Sequence, residues 1–268
     1  MQGQEMHQMS IKPLIKTLAA FVGLAICSSS FAGKDDAQVT DVKDWNKEGG
    51  EKSEAMLLEP DRERGIAVYE VCSACHLLEG WGLDDGTFPQ LAGQHRNVLI
   101  KQLTDIRAQN RDNPTMYPFA LDEQIMAVAG YHEGEINPAQ LVADVTDYIS
   151  KLPMNPEPGR GPWEKGTPEF EKGKQLYADN CTRCHGDDGE GDNEKFYPRI
   201  QGQHYNYMLR QFEWIRDGKR RNANPDMVKQ IKEFSDDDMK MVINYTSRHM
   251  PRAELLAPSK DYRNPDYD

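Results

Sequence analysis

Two short runs in this 268-residue chain carry thiols and an imidazole at one fixed spacing: Cys72-Ser73-Ala74-Cys75-His76 and Cys181-Thr182-Arg183-Cys184-His185. On a helical turn, positions i, i+3 and i+4 share a face, so two sulfurs and one imidazole can reach the same flat group. Zinc ribbons also use Cys-x2-Cys pairs, but their second pair follows within about 15–20 residues. Here 105 residues separate Cys75 from Cys181, and each pair ends in histidine. This pattern is the attachment signal for c-type haem, with a zinc site or a redox dithiol as the alternatives. Two covalently attached haem c groups are expected. Cys72 and Cys75, then Cys181 and Cys184, would form thioethers to the porphyrin vinyls, with His76 and His185 as proximal iron ligands.

Iron held by histidine needs a second axial group, and its identity separates carriers from catalysts. Methionine closes the site and suits electron transfer, whereas an open position permits ligand binding and chemistry. Met116 and Met227 are the candidates, lying 40 and 42 residues after His76 and His185 in matched Asn-Pro-x-Met runs that read as loops. Met126 is the rival for the first iron, although its run Ile125-Met126-Ala127-Val128-Ala129 also suits core packing. His95 and His204 would allow bis-histidine ligation, but their place directly after Gly-Gln favours a surface or hydrogen-bonding role. Pro89 and Pro198 offer carbonyls that can accept from the proximal imidazole N–H and orient it.

The elements that must position these groups come in two copies. Pro89-Gln90-Leu91-Ala92-Gly93-Gln94-His95 maps onto Pro198-Arg199-Ile200-Gln201-Gly202-Gln203-His204 at the same offset of 109 that separates Cys72 from Cys181. Gln102-Leu103 maps onto Gln211-Phe212 likewise, so the chain is a tandem duplication. Helical spacing predicts helices over Glu63–Cys72, Arg96–Gln109 and Ala139–Leu152 in the first copy. Phe170–Cys181, Tyr205–Arg216 and Asp236–Arg248 follow in the second, and an extra helix is expected within 121–131. Nothing alternates as a strand, so the expected fold is all-α, with one domain over residues 56–152 and another over 169–252. Residues 153–168, rich in proline and glycine, read as a semi-extended linker. Residues 33–55 read as a loose acidic arm and 253–268 as a surface tail.

Residues 1–32 read as an export signal. Lys12 and Lys16 precede the apolar run 18–26, and Ser28-Ser29-Ser30-Phe31-Ala32 offers cleavage after about Ala32. The apolar run is shorter than the roughly 20 residues that cross a bilayer. The four cysteines remaining after cleavage all lie in the two haem motifs, which leaves no disulfide framework. The net charge is -12 at pH 7, and removal of the signal makes the remainder one charge more acidic. That balance argues against nucleic acid and for basic docking surfaces or simple solubility. Arg216, Lys219, Arg220 and Arg221 form a local basic group that can neutralise haem propionates, dock a partner or stay solvated.

Taken together, the two haem motifs, the Pro-x-Leu-Ala-Gly-Gln segment with its Pro-Arg-Ile-Gln-Gly-Gln counterpart, and the Gln-Leu helix after it resemble the diheme cytochromes c of the c4 type over about residues 56–250. The resemblance implies two class I cytochrome c domains with His/Met iron, related by a pseudo-twofold axis. It also implies an electron carrier of the bacterial periplasm, often peripherally membrane-associated. Such carriers stand between a quinol-cytochrome c reductase and a terminal oxidase or other reductase. Two alternatives stay open: a diheme enzyme with one open haem, acting as a peroxidase or on thiosulfate, and the cytochrome subunit of a dehydrogenase complex. The longer segment between Met116 and Asp147 departs from the family pattern and leaves Met116 and Met126 in competition.

Overall fold

The computed structural model describes residues 45, 46 and 48–267. The expected export signal and most of the acidic arm lie outside the described residues. Those described form helices joined by loops, with two isolated β-bridges and no strand ladder. The expected all-α class is what the structure has.

In the first half, α1 spans Gly50–Leu57, α2 Arg62–His76, α3 Arg96–Arg107, α4 Asp122–Val128 and α5 Pro138–Lys151. In the second, α6 spans Pro168–Asn180, α7 Thr182–His185, α8 Tyr205–Arg216, α9 Pro225–Ile231 and α10 Asp236–Thr246. Caps start these helices where the chain offers them. The side chains of Asp61, Asn137, Thr167, Asn224 and Ser235 accept from backbone N–H groups of the first turns of α2, α5, α6, α9 and α10.

Each half is built on one close helix crossing, α2 against α5 and α6 against α10. Both crossings depend on a glycine. A Cβ at Gly65 would stand 2.6 Å from the Asp144 carbonyl oxygen and 2.9 Å from Tyr148 Cβ. One at Gly173 would run into the Met241 carbonyl. Val68, Tyr69, Leu99, Met126, Leu141 and Val145 bury their side chains in the first core. Tyr177, Met208, Phe212, Ile231, Met239 and Val242 do so in the second.

Both chain ends depart from the expectation. The arm is not loose from residue 50 onward. Helix α1 sets Ala55, fully buried, into a cluster with Ile100, Ala139, Val142 and Ala143. The Arg96 guanidinium donates to the Ala55 and Leu58 carbonyls, and Arg107 forks onto the Glu51 carboxylate. Composition hides this helix because small residues on α5, rather than an apolar stripe on α1, allow it to dock. The expected surface tail also packs. Met154 N–H donates to Leu255 O and Ala257 N–H to Met154 O. Asn264, 2% exposed, donates to the Leu78 carbonyl, and Tyr267 Oη donates to the Ile66 carbonyl. Its anchoring Asn and Tyr residues have no periodic spacing for a sequence reading to find.

The two halves meet through a reciprocal set of hydrogen bonds. Gln94 accepts from Arg199 N–H and donates to Arg199 O, both at 2.9 Å. Its counterpart Gln203 accepts from Gln90 N–H at 3.0 Å and donates to Gln90 O at 2.9 Å. His95 Nε2 donates to Glu190 O at 2.7 Å, and His204 Nε2 to Trp81 O at 2.6 Å. In every case the second bond is the first displaced by 109 residues with the halves exchanged. That reciprocity is what a twofold relation between duplicated units produces.

Candidate haem sites

Cys72, Cys75 and His76 occupy the last turn of α2, and Cys181, Cys184 and His185 lie on the turn where α6 passes into α7. All four of these cysteines are half-buried, and no disulfide joins any of them. Burial pushes the Cys72 and Cys181 thiols up to about 12, with the second cysteine of each pair adding to the shift. A buried thiol in that state is a poor redox dithiol, which needs a low thiol pKa. Among the described residues no three His, Cys, Asp or Glu side chains converge as a metal cage would require. The groups fit covalent attachment to a flat macrocycle better than either rival.

Each proximal imidazole is held as a haem ligand would be. His76 Nδ1 donates to Pro89 O at 2.9 Å, and His185 Nδ1 to Pro198 O at 3.1 Å. These bonds put the proton on Nδ1 and leave Nε2 with its lone pair, the form a metal takes. Both rings are buried, which lowers their pKa and keeps them neutral. The proline carbonyls are themselves held in place. Gly82 N–H returns to the His76 carbonyl and Gly191 N–H to the His185 carbonyl, at 3.0 and 2.9 Å. Both glycines have positive φ, 68° and 71°. A Cβ at either would meet the carbonyl groups of Phe88 and Pro89, or of Tyr197 and Pro198. Only glycine brings the chain so close. Next to each histidine, Tyr69 Oη donates to Leu77 O and Tyr177 Oη to Gly186 O, both at 2.8 Å.

The methionines are placed less uniformly. Asn113 Oδ1 accepts from Met116 N–H at 3.3 Å, which puts Met116, half-buried, at the head of a short 3-10 helix over Tyr117–Ala120. Met227 lies in α9 rather than in the expected loop, because Asn224 caps that helix and Pro225 starts it. It is half-buried against the second core, which Cys181 also touches. Met126 is 6% exposed on the inner face of α4, inside the first core. His95 and His204 each spend Nε2 on a carbonyl of the opposite half. His204, fully buried, also accepts at Nδ1 from Gly159 N–H. Both therefore serve the interface.

The family model described as Cytochrome c matches residues 62–153 and 170–248, one stretch for each haem motif. Cytochrome c4 of Azotobacter vinelandii is 31% identical over 177 residues, which is 63% of this chain and 78% of the relative. The chain belongs to the cytochrome c family, as a diheme member of the c4 type. The thiosulfate dehydrogenase electron acceptor of Stutzerimonas stutzeri is 31% identical over 182 residues, 65% of this chain and 76% of that protein. Among solved structures, reduced recombinant cytochrome c4 from Pseudomonas stutzeri superposes with a TM-score of 0.54 at 25% identity. It covers 72% of this chain and all of that one. This diheme cytochrome therefore carries two covalently attached haem c groups and transfers electrons. Sequence reasoning found both attachment motifs and the proline carbonyls. The glycines after each histidine, Gly80, Gly82 and Gly86 and then Gly186, Gly189 and Gly191, also read as a tight chain around the haem edge, and of these Gly82 and Gly191 are the ones that abut the proline carbonyls.

Proposed function

We propose that this protein is an exported one-electron carrier of the bacterial periplasm, with iron held by His76 and Met116 in the first domain and by His185 and Met227 in the second. When bound, each haem supplies a one-electron iron couple. The chain fixes each imidazole through Pro89 and Pro198 and keeps its Nε2 free for iron. The observation that carries the reading is the likeness of the two pockets. The same His–Pro bond, the same glycine return and the same Asn-Pro-x-Met run recur in both, and none of them marks one haem as a substrate site. Among the described residues no helix is long and apolar enough to cross a membrane, which accords with a carrier that at most associates peripherally.

Electrons would enter from the quinol-cytochrome c reductase side and leave to a terminal oxidase or reductase, with docking on basic partner surfaces favoured by the acidic net charge. A second reading is favoured by the relative named as a thiosulfate dehydrogenase electron acceptor. There the donor would be a sulfur-oxidising enzyme, and this chain would still be the carrier. Carbon monoxide added to the reduced holoprotein tests the carrier reading. Spectra unchanged at both haems are expected. Stoichiometric binding at one haem would overturn it in favour of an enzyme with an open iron.

A further inference from the structure

The helix crossings put the two halves in register. At Gly65 the Asp144 carbonyl and Tyr148 Cβ meet α2, and at Gly173 the Met241 carbonyl and Tyr245 Cβ meet α6. The aromatic pairs beside them match as well. Tyr69 and Tyr148 have ring centroids 5.5 Å apart, and so do Tyr177 and Tyr245. Four residues on from Tyr148 stands Leu152, and four on from Tyr245 stands His249. A Cβ on Gly80 would meet Leu152 Cδ1 and Tyr69 Oη, each at 3.2 Å, so Leu152 fills the space beside the Tyr69 hydroxyl. In the second half an imidazole takes that place. His249 stacks on Tyr177 at 5.0 Å between ring centroids and stands edge-on to Tyr245 at 4.7 Å.

Packing accounts for the leucine but not for the histidine. The His249 side chain is 10% exposed, and among the described residues its Nε2 has no hydrogen-bond partner. Its Nδ1 stands 3.9 Å from Asp188 Oδ1, too far for a hydrogen bond. Leaving a buried polar atom so costs stability, a cost that Leu152 avoids. The charged groups facing the ring are Asp188 and Glu190, both from the loop after His185, with the phenols of Tyr177 from α6 and Tyr245 from α10 beside them. The neighbouring arginines are engaged elsewhere, Arg248 with Glu164 and Arg252 with Glu254. Burial lowers the pKa of His249 and the two carboxylates oppose that shift, so the ring gains its proton below about pH 6.5. Asp188, 83% exposed, joins the ring edge to water. The ring also stands against the frame of the second proximal ligand. Tyr177 Oη donates to the carbonyl of Gly186, which follows His185, and the His249 carbonyl accepts from Gly202 N–H in the loop that supplies Pro198.

We propose that His249 is a proton-coupled determinant of the second haem's potential, a device the first haem lacks because Leu152 stands in its place. As one electron from the donor reduces the ferric iron, neutral His249 takes one proton from solvent at the Asp188 edge. On reoxidation the electron leaves to the acceptor and the proton returns to solvent. A cation at this position favours ferrous over ferric iron, so the second potential is highest where His249 is charged and falls as pH rises through its titration. This role requires haem attachment at Cys181 and Cys184 and no particular axial methionine. The test is spectroelectrochemical titration of intact diheme holoprotein between about pH 5 and 8, with the shifted haem methyl resonances of the ferric protein assigning each step to its haem. In the parent chain the second midpoint is expected to fall with rising pH. His249→Leu, which installs the residue of the first half, is expected to abolish that slope and leave the first haem unchanged. His249→Gln carries the same expectation should the leucine variant lose its fold. A second midpoint that ignores pH in the parent would overturn the proposal, as would a slope that survives substitution or one lost equally from both haems. A pH-independent offset with the slope retained would make His249 a packing residue and overturn it too. The red thioether band of the ferric protein, read on the same samples, reports separately whether the axial assignment has failed.

Discussion

Met116 and Met126 compete for the first iron, and the structure makes them answer differently to truncation. Met126 is 6% exposed and packs among Val68, Leu99, Leu141 and Val145. Met→Ala at such a position removes buried thioether and methyl surface and leaves a cavity, at a cost of about 2–5 kcal/mol. For a folded unit of this size that corresponds to roughly 5–15 °C in melting temperature. Met116, half-buried at the head of a turn, loses far less packing, at most about 1 kcal/mol, so what Met116→Ala costs beyond that is the iron–thioether bond it gives up. The spectra should reverse that order. Met116→Ala is expected to remove the weak red charge-transfer band of thioether-ligated ferric haem at one of the two sites, and to let carbon monoxide bind there. Met126→Ala should keep both bands at a lower melting temperature. The assay is a ferric absorption spectrum and a thermal melt on each purified holoprotein. A band lost in Met126→Ala and kept in Met116→Ala would refute the assignment of the Asn-Pro-x-Met methionine to the first iron.

Leu77 follows His76 at φ 65° and ψ 162°, a region only glycine occupies freely, and its counterpart Gly186 is a glycine. Because Leu77 is 39% exposed, Leu77→Gly forfeits little burial and should stabilise the protein by about 1 kcal/mol, read as a rise in urea midpoint. Gly82→Ala forces a Cβ onto the Phe88 and Pro89 carbonyls and should cost at least about 2 kcal/mol while perturbing the His76–Pro89 bond. Unchanged ferric spectra and melting in that variant would show that the loop yields freely. Burial lowers the pKa of His95 and of His249, so the unfolded chain takes up protons first as pH falls below about 6.5. Stability should therefore drop on acidification through that window. His249→Asn should flatten the dependence of melting temperature on pH there, and an unaltered slope would count against His249 as a source.

What could be read from the sequence was whatever the duplication wrote twice or a helix wrote periodically. The haem motifs, the proline carbonyls and the six main helices belong to that class, because spacing alone specifies a shared face. Helix α1 does not, since its docking depends on Ala139 and Ala143 leaving room on α5, a property of the partner surface. The C-terminal segment was hidden for a similar reason. Asn264 and Tyr267 act through single hydrogen bonds to the Leu78 and Ile66 carbonyls, and single bonds have no period. Helix α9 was signalled by Asn224-Pro225, a cap followed by a first-turn proline, but the same pair also starts turns, and only the packing of Ile231 into the second core decides.

The interface explains why these residues repeat at one offset. When a unit is duplicated and the copies pair about a twofold axis, a contact from residue i of one copy to residue j of the other brings the exchanged contact with it. One useful residue type then appears twice, as Gln94 with Gln203, His95 with His204, and Arg111 with Arg220. The glutamine and histidine pairs use backbone carbonyls and amides as partners, and these groups do not change when side chains diverge. Gln90 and Arg199 can therefore differ in type and still receive the same pair of bonds. Gln90, Gln203 and His204 are each under 9% exposed, so leaving one of their groups unpaired would cost about 1–3 kcal/mol. Specific hydrogen bonds of that weight resist sliding far better than an apolar patch, which tolerates many registers. The two histidine pockets are thus fixed in mutual orientation by the same loops, 80–95 and 189–204, that supply their proline carbonyls. A change that loosened the interface would loosen the proximal ligands with it.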